Sequence, residues 1–583
     1  MNCGIGWWKV PDWSRLDQSP AQIFKHRITQ RSTGMDWKPE PQILEALVTA
    51  VPAMLSELKE NGQFGNEPWT CGDQNRIYPL AAAWSLEESA YYHSDEVLNA
   101  IIKGGDALID AQDEEGKWEF LKKDYSTWGQ ILMPWTYSRW IRAYQMVKEA
   151  MPAEAQERWN RGLVLGFEGI SATCLGGVHN IPAHHAMALY CAGTVFERDE
   201  WCDQARSFMA RVAGEQSPNG WWAELKGPVV SYNFVYSDSL GTYYGLSGDD
   251  GILPALERAA RYHASFSYPD GSSVETIDGR NPYHSGVHLG NPGFSHTPAG
   301  RGFLAQQHRL HIESGGKFDA DYAASLLLYG GEGEVEETPA GQDRHIFRMG
   351  DEAATVRVRP WYICVSSFVA ELPDNRWGQD RQNFVSVFHD KTGLILGGGN
   401  TKLQPLWSTF TVGDISLLSH TPGDEEPDFS VSEGLIHAPD RATYVVAEEK
   451  ASLELGYGPE TCTVELTSKG EESLVLRYSA NADSNQPIEA HVTLIPHLGE
   501  SLKLNTGEEV TVGDEDITKT GLGWIEHAGW RLEIPADSSV IWPALPHNPY
   551  RKAGNADTEE GLLVVTLPLS SGSGSAELKL EIL

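Results

Sequence analysis

Gly62–Trp69 reads GQFGNEPW, Gln112–Trp118 reads QDEEGKW, Gln216–Trp222 reads QSPNGWW and Pro269–Ser272 reads PDGS. Each is a polar turn built on glycine, and the first three close on tryptophan. Between them lie stretches whose apolar residues recur at helical spacing: Pro41–Glu60 (PQILEALVTAVPAMLSELKE), Asp95–Ala111, Ile131–Ala150 and Ile252–Phe266. The turns return about every fifty residues, or about every hundred where one copy is disguised. Two helices and a Gly-aromatic turn per period is what a helical solenoid closed into a ring gives: glycine ends one helix and an aromatic anchors the next.

After about residue 335 the period changes. Thr355–Val358, Trp361–Glu371, Asn383–His389, Tyr444–Glu448, Ser473–Ser479 and Leu562–Leu567 are short, β-branched and often alternating, with Gly, Asp and Asn between them. Gly330–Gly341 (GGEGEVEETPAG) reads as a polar linker. Helices first and strands after indicate segregated layers or separate domains. The expected architecture is α+β and multidomain. Residues 1–335 form an incomplete (α/α) toroid, and residues 336–583 an antiparallel β-sandwich.

Composition bounds the function. A chain of 583 residues is too long for one domain. Its 20 Trp and 21 Tyr exceed what a core needs and suit flat platforms for sugar rings. A net charge of −36 argues against a nucleic-acid partner, although a local cluster of Arg, His and Asn can still receive a carboxylate. The seven Cys stand singly, at 3, 71, 174, 191, 202, 364 and 462, and read as reduced thiols rather than a disulfide framework or a zinc site. Met1–Pro11 lacks the pattern of a signal peptide, and no apolar run is long enough to span a membrane. The chain as given reads as cytoplasmic, or as periplasmic or secreted where a leader has been removed.

Three clusters could carry chemistry. In the first, His179-Asn180-Ile-Pro-Ala-His184-His185 opens an apolar helix, with Pro182 suited to its first turn. Asn180 at such a mouth could equally be an N-cap. In the second, Tyr232, Tyr236 and Tyr243 fall on roughly one helical face beside Asn233 and Asp238, a stripe that also suits a core. The third, Asp270–Arg301, is a Gly-rich stretch carrying Arg280, Asn281, Tyr283, His284, His288, Asn291, His296 and Arg301. It has too little aliphatic content for core and reads as a functional loop. Its three histidines, spaced four and then eight, match no zinc pattern, so neither metal nor cofactor is expected.

The bias of these clusters favours elimination. β-Elimination on a uronate needs the carboxylate neutralised, the adjacent C–H proton removed and the leaving oxygen protonated. Asn, His and Arg serve the first task, and Tyr and His the other two. A glycoside hydrolase needs a carboxylate pair. Here it would draw on Asp238 or Glu275 with Asp73 or Asp278. A non-catalytic carbohydrate-binding protein and a terpene-cyclase-like toroid are further readings. The latter lacks the DxDD and DDxxD acid clusters of such enzymes.

On these residues the chain resembles polysaccharide lyases built from an α/α toroid and a β-sandwich, the heparinase II/III, alginate and chondroitin AC lyases. In those families an Asn or His is followed about 55 residues on by a catalytic Tyr, the order shown here by His179, Asn180 and Tyr236. The heparinase II/III-like enzymes add a histidine from the sheets, matched in order by His389 of NFVSVFHDKTGLILGGGN. The resemblance implies Asn180 with His184 as carboxylate neutralisers, Tyr236 as acid or, in a syn elimination, as acid and base together, and His389 as second base or a further neutraliser. It makes Arg280 and Arg301 carboxylate binders, with His179, Tyr232, Tyr243, Tyr283 and His284 lining the site. Trp135 and Trp222, with Trp128, Trp140 and Trp221, are candidate sugar platforms. The implied partner is an acidic poly- or oligosaccharide.

Overall fold

The computed structural model describes residues 36–583 apart from 225, 421–423, 431–432, 482–485 and 570–573. Met1–Pro11, read above for a leader, and Cys3 lie outside the described residues. Eleven α-helices precede the main sheets among the described residues. They are α1 Pro41–Glu57, α2 Ile77–Ser85, α3 Asp95–Ala111, α4 Pro134–Val147, α5 Ala153–Thr173 and α6 Asn180–Val195, followed by α7 Asp199–Gly214, α8 Val230–Ser247, α9 Leu253–Ser265, α10 Pro298–Glu313 and α11 Ala320–Tyr329. None of them is long and apolar enough to cross a membrane.

The recurring turns share one construction. Gly116 and Gly220 both adopt φ above +80°, and the Trp two residues on is buried. Trp118 Nε1 donates to the Leu108 carbonyl at 3.0 Å, and Trp222 Nε1 to that of Val212 at 2.7 Å. The indole thereby satisfies a carbonyl orphaned near a helix C-terminus. A glutamine amide then clamps each turn: Gln74 donates to Gly62 O at 3.0 Å, Gln216 to Gly220 O at 3.0 Å and Gln307 to Gly271 O at 2.8 Å. In the second copy Tyr137 Oη donates to Gly116 O while Gln112 donates to Gly162 O. A buried turn carbonyl needs such a donor, which explains why polar Gln recurs in apolar surroundings.

The described residues divide into two compact units: those of 1–174 with 191–202 and 318–328, and those of 175–190 with 203–317 and 329–583. In the first, Gly105 of α3 admits the Trp159 indole, since a Cβ there would lie 1.9 Å from Cζ2. In the second, α8 meets the short 3-10 turn Pro292–His296 at Gly241, where a Cβ would fall 2.1 Å from Gly293 Cα. The neighbours of Gly241 are backbone and cannot rotate away. Gly241→Ala is expected to cost about 1–3 kcal/mol of stability, read as a lowered denaturant midpoint. Gly214→Ala, at a site with nothing within 4 Å, is the neutral control.

Two antiparallel sheets complete the second unit. One has 11 strands, running 517–520, 539–544, 562–568, 488–494, 393–396, 385–389, 361–366, 353–358 and 344–349, with 410–413 and 435–436 joined alongside. The other has nine, in the order 441–447, 450–457, 460–468, 473–481, 575–582, 530–533, 524–527, 501–504 and 509–511. Glu460–Ser468 alternates buried and half-buried along its length, whereas Trp361–Ser366 is buried throughout. Leu453, Val464, Leu466 and Leu578 of the nine-stranded sheet join Val385, Val387, Val492 and Val565 of the other in one core. Each such side chain contributes roughly 1.5–3 kcal/mol by leaving water. The stretch read as a linker is packed down: Arg261 holds Glu336 at 2.6 and 2.7 Å, and Glu336 N donates to Pro298 O.

Candidate active site

Within the second unit, α6 begins at Asn180. His179 supplies the capping carbonyl for Ala183 N, and Asn180 Oδ1 accepts from Ile181 N at 2.7 Å. Asn180 N points outward to Glu224 Oε1 at 3.5 Å. Glu224 sits just past the third Gly-Trp turn, in the two-residue strand Ala223–Glu224 that pairs with Gly227–Pro228. Asn233 fixes that turn against α8: it accepts from Trp222 N at 2.7 Å and donates to Trp222 O and Val229 O at 3.1 and 3.0 Å. Trp222 then stacks on Tyr236, with ring centroids 5.0 Å apart and planes 12° from parallel. The Tyr236 hydroxyl reaches Glu224 Oε1 at 3.5 Å.

Arg280 closes the group. Asp278 accepts from Val230 N, Arg280 N and Asn281 N at 2.7–2.8 Å, folding residues 278–281 back over the start of α8. The Arg280 guanidinium then lies over three rings, 4.9 Å from Tyr232, 5.0 Å from Trp377 and 5.2 Å from Tyr550. Asn281 ties the same loop to Ser231 at 2.9 Å and to Tyr550 at 3.1 Å. Cation–π contacts of this kind hold the guanidinium without neutralising it. Arg280 makes no ion pair among the described residues, although Glu224 lies within its electrostatic reach, and its enclosed Nε has no hydrogen-bond partner.

The electrostatics separate the two proton-bearing groups. Burial, then the Glu224 carboxylate, push the Tyr236 hydroxyl far above its ordinary value, so it stays protonated at neutral pH. Burial also raises the Glu224 carboxyl, against the pull of the Asn180 N–H, Arg280 and Tyr236. A protonated phenol beside a carboxylate with weakened acidity is a donor–acceptor pair.

Asn180, Tyr232, Tyr236 and Arg280 are thus brought around Glu224; other expected residues have different work. His184 is buried and bonds Ser239 at 2.9 Å, with its Nε2 3.8 Å from Asp238. Ser239 gives its proton to Val235 O, so His184 Nδ1 is the donor to Ser239. Tyr243, near the other end of α8, bonds Asp249 at 2.9 Å. His179 and His284 are exposed, the latter lining a cavity of about 80 Å³ with Arg280 and Asn281. Tyr283 is half-buried, 3.5 Å from Ser272 Oγ. Arg301 donates to Ser295 O and Glu334 O, which explains its charge without a substrate. His389 uses both ring nitrogens on backbone, Nε2 toward Glu471 O at 3.0 Å and Nδ1 toward Lys391 N at 3.1 Å, with Trp361 against its ring. No hydrogen bond between described residues joins it to Asn180 or Tyr236. Trp222 and Trp140 are fully buried and can stack no sugar; Trp135, in the other unit, is half-buried, and Trp128 is 49% exposed.

The carboxylates weighed for hydrolysis are largely committed to the fold. Glu275 is buried, accepts from Gly398 N at 2.9 Å and Tyr268 at 3.0 Å, and is raised to about 7 by burial. Asp278 accepts three backbone N–H groups, and Asp73 caps the turn after Thr70 and pairs with Lys123 at 2.7 Å. Sequence reading missed Glu224, Trp377 and Tyr550. The signal available for Glu224 was its place two residues beyond the recurring Trp. Trp377 and Tyr550 are aromatics in polar loops, DNRWGQ and PHNPYR.

No protein-family model matches the sequence, and no curated protein matches it either. Among solved structures the chain is similar to the Paenibacillus xanthan lyase, with TM-score 0.52 and 11% identity over 93% of this chain. It spans 57% of that enzyme's length. It is similar also to the Streptomyces coelicolor A3 chondroitin AC lyase solved with chondroitin sulphate, with TM-score 0.53, 12% identity and coverage of 94% of this chain and 80% of that one. A chondroitinase AC lyase solved with oligosaccharides gives 0.52 at 10% identity, covering 93% and 82% of the two chains. Identities this low speak to architecture alone: the chain has the fold of the polysaccharide lyases.

Proposed function

We propose that the chain is a polysaccharide lyase that cuts a uronate-containing poly- or oligosaccharide by β-elimination, leaving an unsaturated uronate at the new end. The observation that carries this reading is Arg280, a guanidinium held by three aromatic rings with no bonded carboxylate among the described residues, within electrostatic reach of Glu224, which the protonated Tyr236 contacts at 3.5 Å. A partly enclosed cation with no bonded carboxylate among the described residues suits an anionic ligand, and aromatic walls suit a sugar ring. The xanthan and chondroitin lyases that share the fold act on polysaccharides, as their names state. We read the helices, residues 1–335, as an (α/α) toroid and the two sheets, residues 336–583, as a β-sandwich.

In this reading Arg280 and Asn180 receive the uronate carboxylate and stabilise the charge that builds on it as the adjacent C–H is lost. Tyr236 protonates the departing glycosidic oxygen. The test is incubation with chondroitin, xanthan, glucuronan and alginate, following the ultraviolet absorbance of the conjugated product. New reducing ends without that absorbance would sink the reading.

Arg280→Ala is expected to raise KM roughly ten- to a hundredfold, the loss of a charged hydrogen bond of about 1.5–3 kcal/mol. Arg280→Lys should recover only part, because an ammonium cannot meet a carboxylate with a planar fork. Unchanged KM in Arg280→Ala would remove the carboxylate from this position.

A further inference from the structure

We infer that Glu224 is the general base of the elimination, removing the proton next to the uronate carboxyl while Tyr236 serves as acid. The assignment rests on the lyase reading and completes it, since that reading names no base. Four observations support it.

Glu224 is the open member of the pair: Tyr236 has no exposed surface, whereas Glu224 is half-buried. A group entering from solvent meets the carboxylate first. Glu224 also has no salt bridge between described residues; its contacts are the Asn180 N–H and the Tyr236 hydroxyl, both at the 3.5 Å limit of a hydrogen bond. A carboxylate so loosely held keeps lone pairs for an incoming proton. Its neighbours are otherwise arranged for the substrate: Arg280 acts on it electrostatically without bonding it, and Tyr232 lies within electrostatic reach. Finally, the one imidazole expected from the sheets, His389, is held on backbone, and His184 is buried against Ser239. The chain offers no other acceptor beside Tyr236 among the described contacts of that hydroxyl.

The step balances. Glu224 takes the C5 proton, and the C–H electron pair becomes the C4=C5 double bond. The C4–O bond breaks, and Tyr236 gives its proton to the departing oxygen. Glu224 is then a carboxylic acid and Tyr236 a phenolate, side by side at 3.5 Å. Proton return from Glu224 to Tyr236 restores both, with no external acid or base. The burial that raises the Glu224 carboxyl brings it nearer the strength a carbon base needs.

The experiment uses the full chain and compares Glu224→Gln, Glu224→Asp and Tyr236→Phe on two probes: a glucuronan oligosaccharide and a 4-deoxy-4-fluoro uronide, whose fluoride departs with little help from an acid. Glu224→Gln is expected to lose roughly 10²–10⁴-fold in kcat on both probes with KM little changed. Its pH profile should lose the acid-side limb, a limb shaped by Glu224 together with Arg280, Tyr232 and Tyr236. Tyr236→Phe should lose as much on the glycan but recover on the fluoride. Glu224→Asp should keep part of the activity, and matching thermal melts separate chemistry from folding. A wild type that eliminates while Glu224→Gln keeps pace within threefold overturns the base assignment alone. So does a Glu224→Gln defect that the fluoride rescues. A wild type that forms no unsaturated product on any uronate overturns the lyase reading and the assignment with it.

Discussion

Glucuronan and mannuronan are expected to be cut at least about a hundredfold faster than polygalacturonate or guluronan, on the scale that misplaced reacting groups cost. The argument is geometric. The Tyr236 hydroxyl and the Glu224 carboxylate adjoin at 3.5 Å. A base and an acid that touch each other work on one face of a sugar ring. In glucuronate and mannuronate the C5 hydrogen and the C4 oxygen share a face. In galacturonate, guluronate and iduronate they lie on opposite faces, and a pair this close cannot serve both. Initial rates on the four polymers, followed through the unsaturated product, check the expectation. Polygalacturonate cut as fast as glucuronan would show that acid and base stand on opposite sides, and the Tyr236–Glu224 pairing would fall.

The architecture was legible because it rests on local rules repeated along the chain. Gly116–Trp118 and Gly220–Trp222 repeat one turn, and a turn that must bend at glycine and bury an indole leaves a mark in any sequence. The strands beyond residue 335 announce themselves by alternation for the same reason. The site was legible where its parts sit on one helix: Asn180 at the mouth of α6, and Tyr232 and Tyr236 a turn apart on α8. It was illegible where the fold assembles it from afar. Trp377 and Tyr550 reach Arg280 from loops of the sheet half, and nothing local marks them. Glu224 is one of 81 acidic residues, so its type carries no contrast; its environment alone distinguishes it. Arg301 and His389 show the converse error. Polar side chains among Gly-rich or apolar neighbours suggest chemistry, yet buried backbone carbonyls and amides need partners as much as substrates do.

Acidification is expected to destabilise the protein from about pH 6.5 downward, and buried histidines set the slope. Burial depresses His263 and His491 to about 3, and His308 and His547 to about 4. Unfolded histidines take a proton near 6.5, so below that value the unfolded state binds more protons than the folded one. Stability is therefore complete above about 6.5 and falls as pH drops toward 3–4, by up to about 1.4 kcal/mol per pH unit for each histidine. Glu275 opposes this: raised to about 7, it binds a proton in the folded state first, and between about 4.5 and 7 it offsets roughly one histidine. His263 offers the cleanest probe, because it is buried, its ring stacks on Phe234 at 3.9 Å, and Phe294 lies at 5.3 Å. Its Nε2 has no hydrogen-bond partner, and the ring bonds the Asn233 backbone. His263→Phe is expected to lose about 1 kcal/mol at pH 7.5, the hydrogen bond to the Asn233 backbone, and to flatten the acid slope by about 1.4 kcal/mol per pH unit. Urea unfolding at pH 7.5, 5.5 and 4.5 measures both quantities. Parallel slopes in parent and variant would show that His263 already carries its proton in the folded protein.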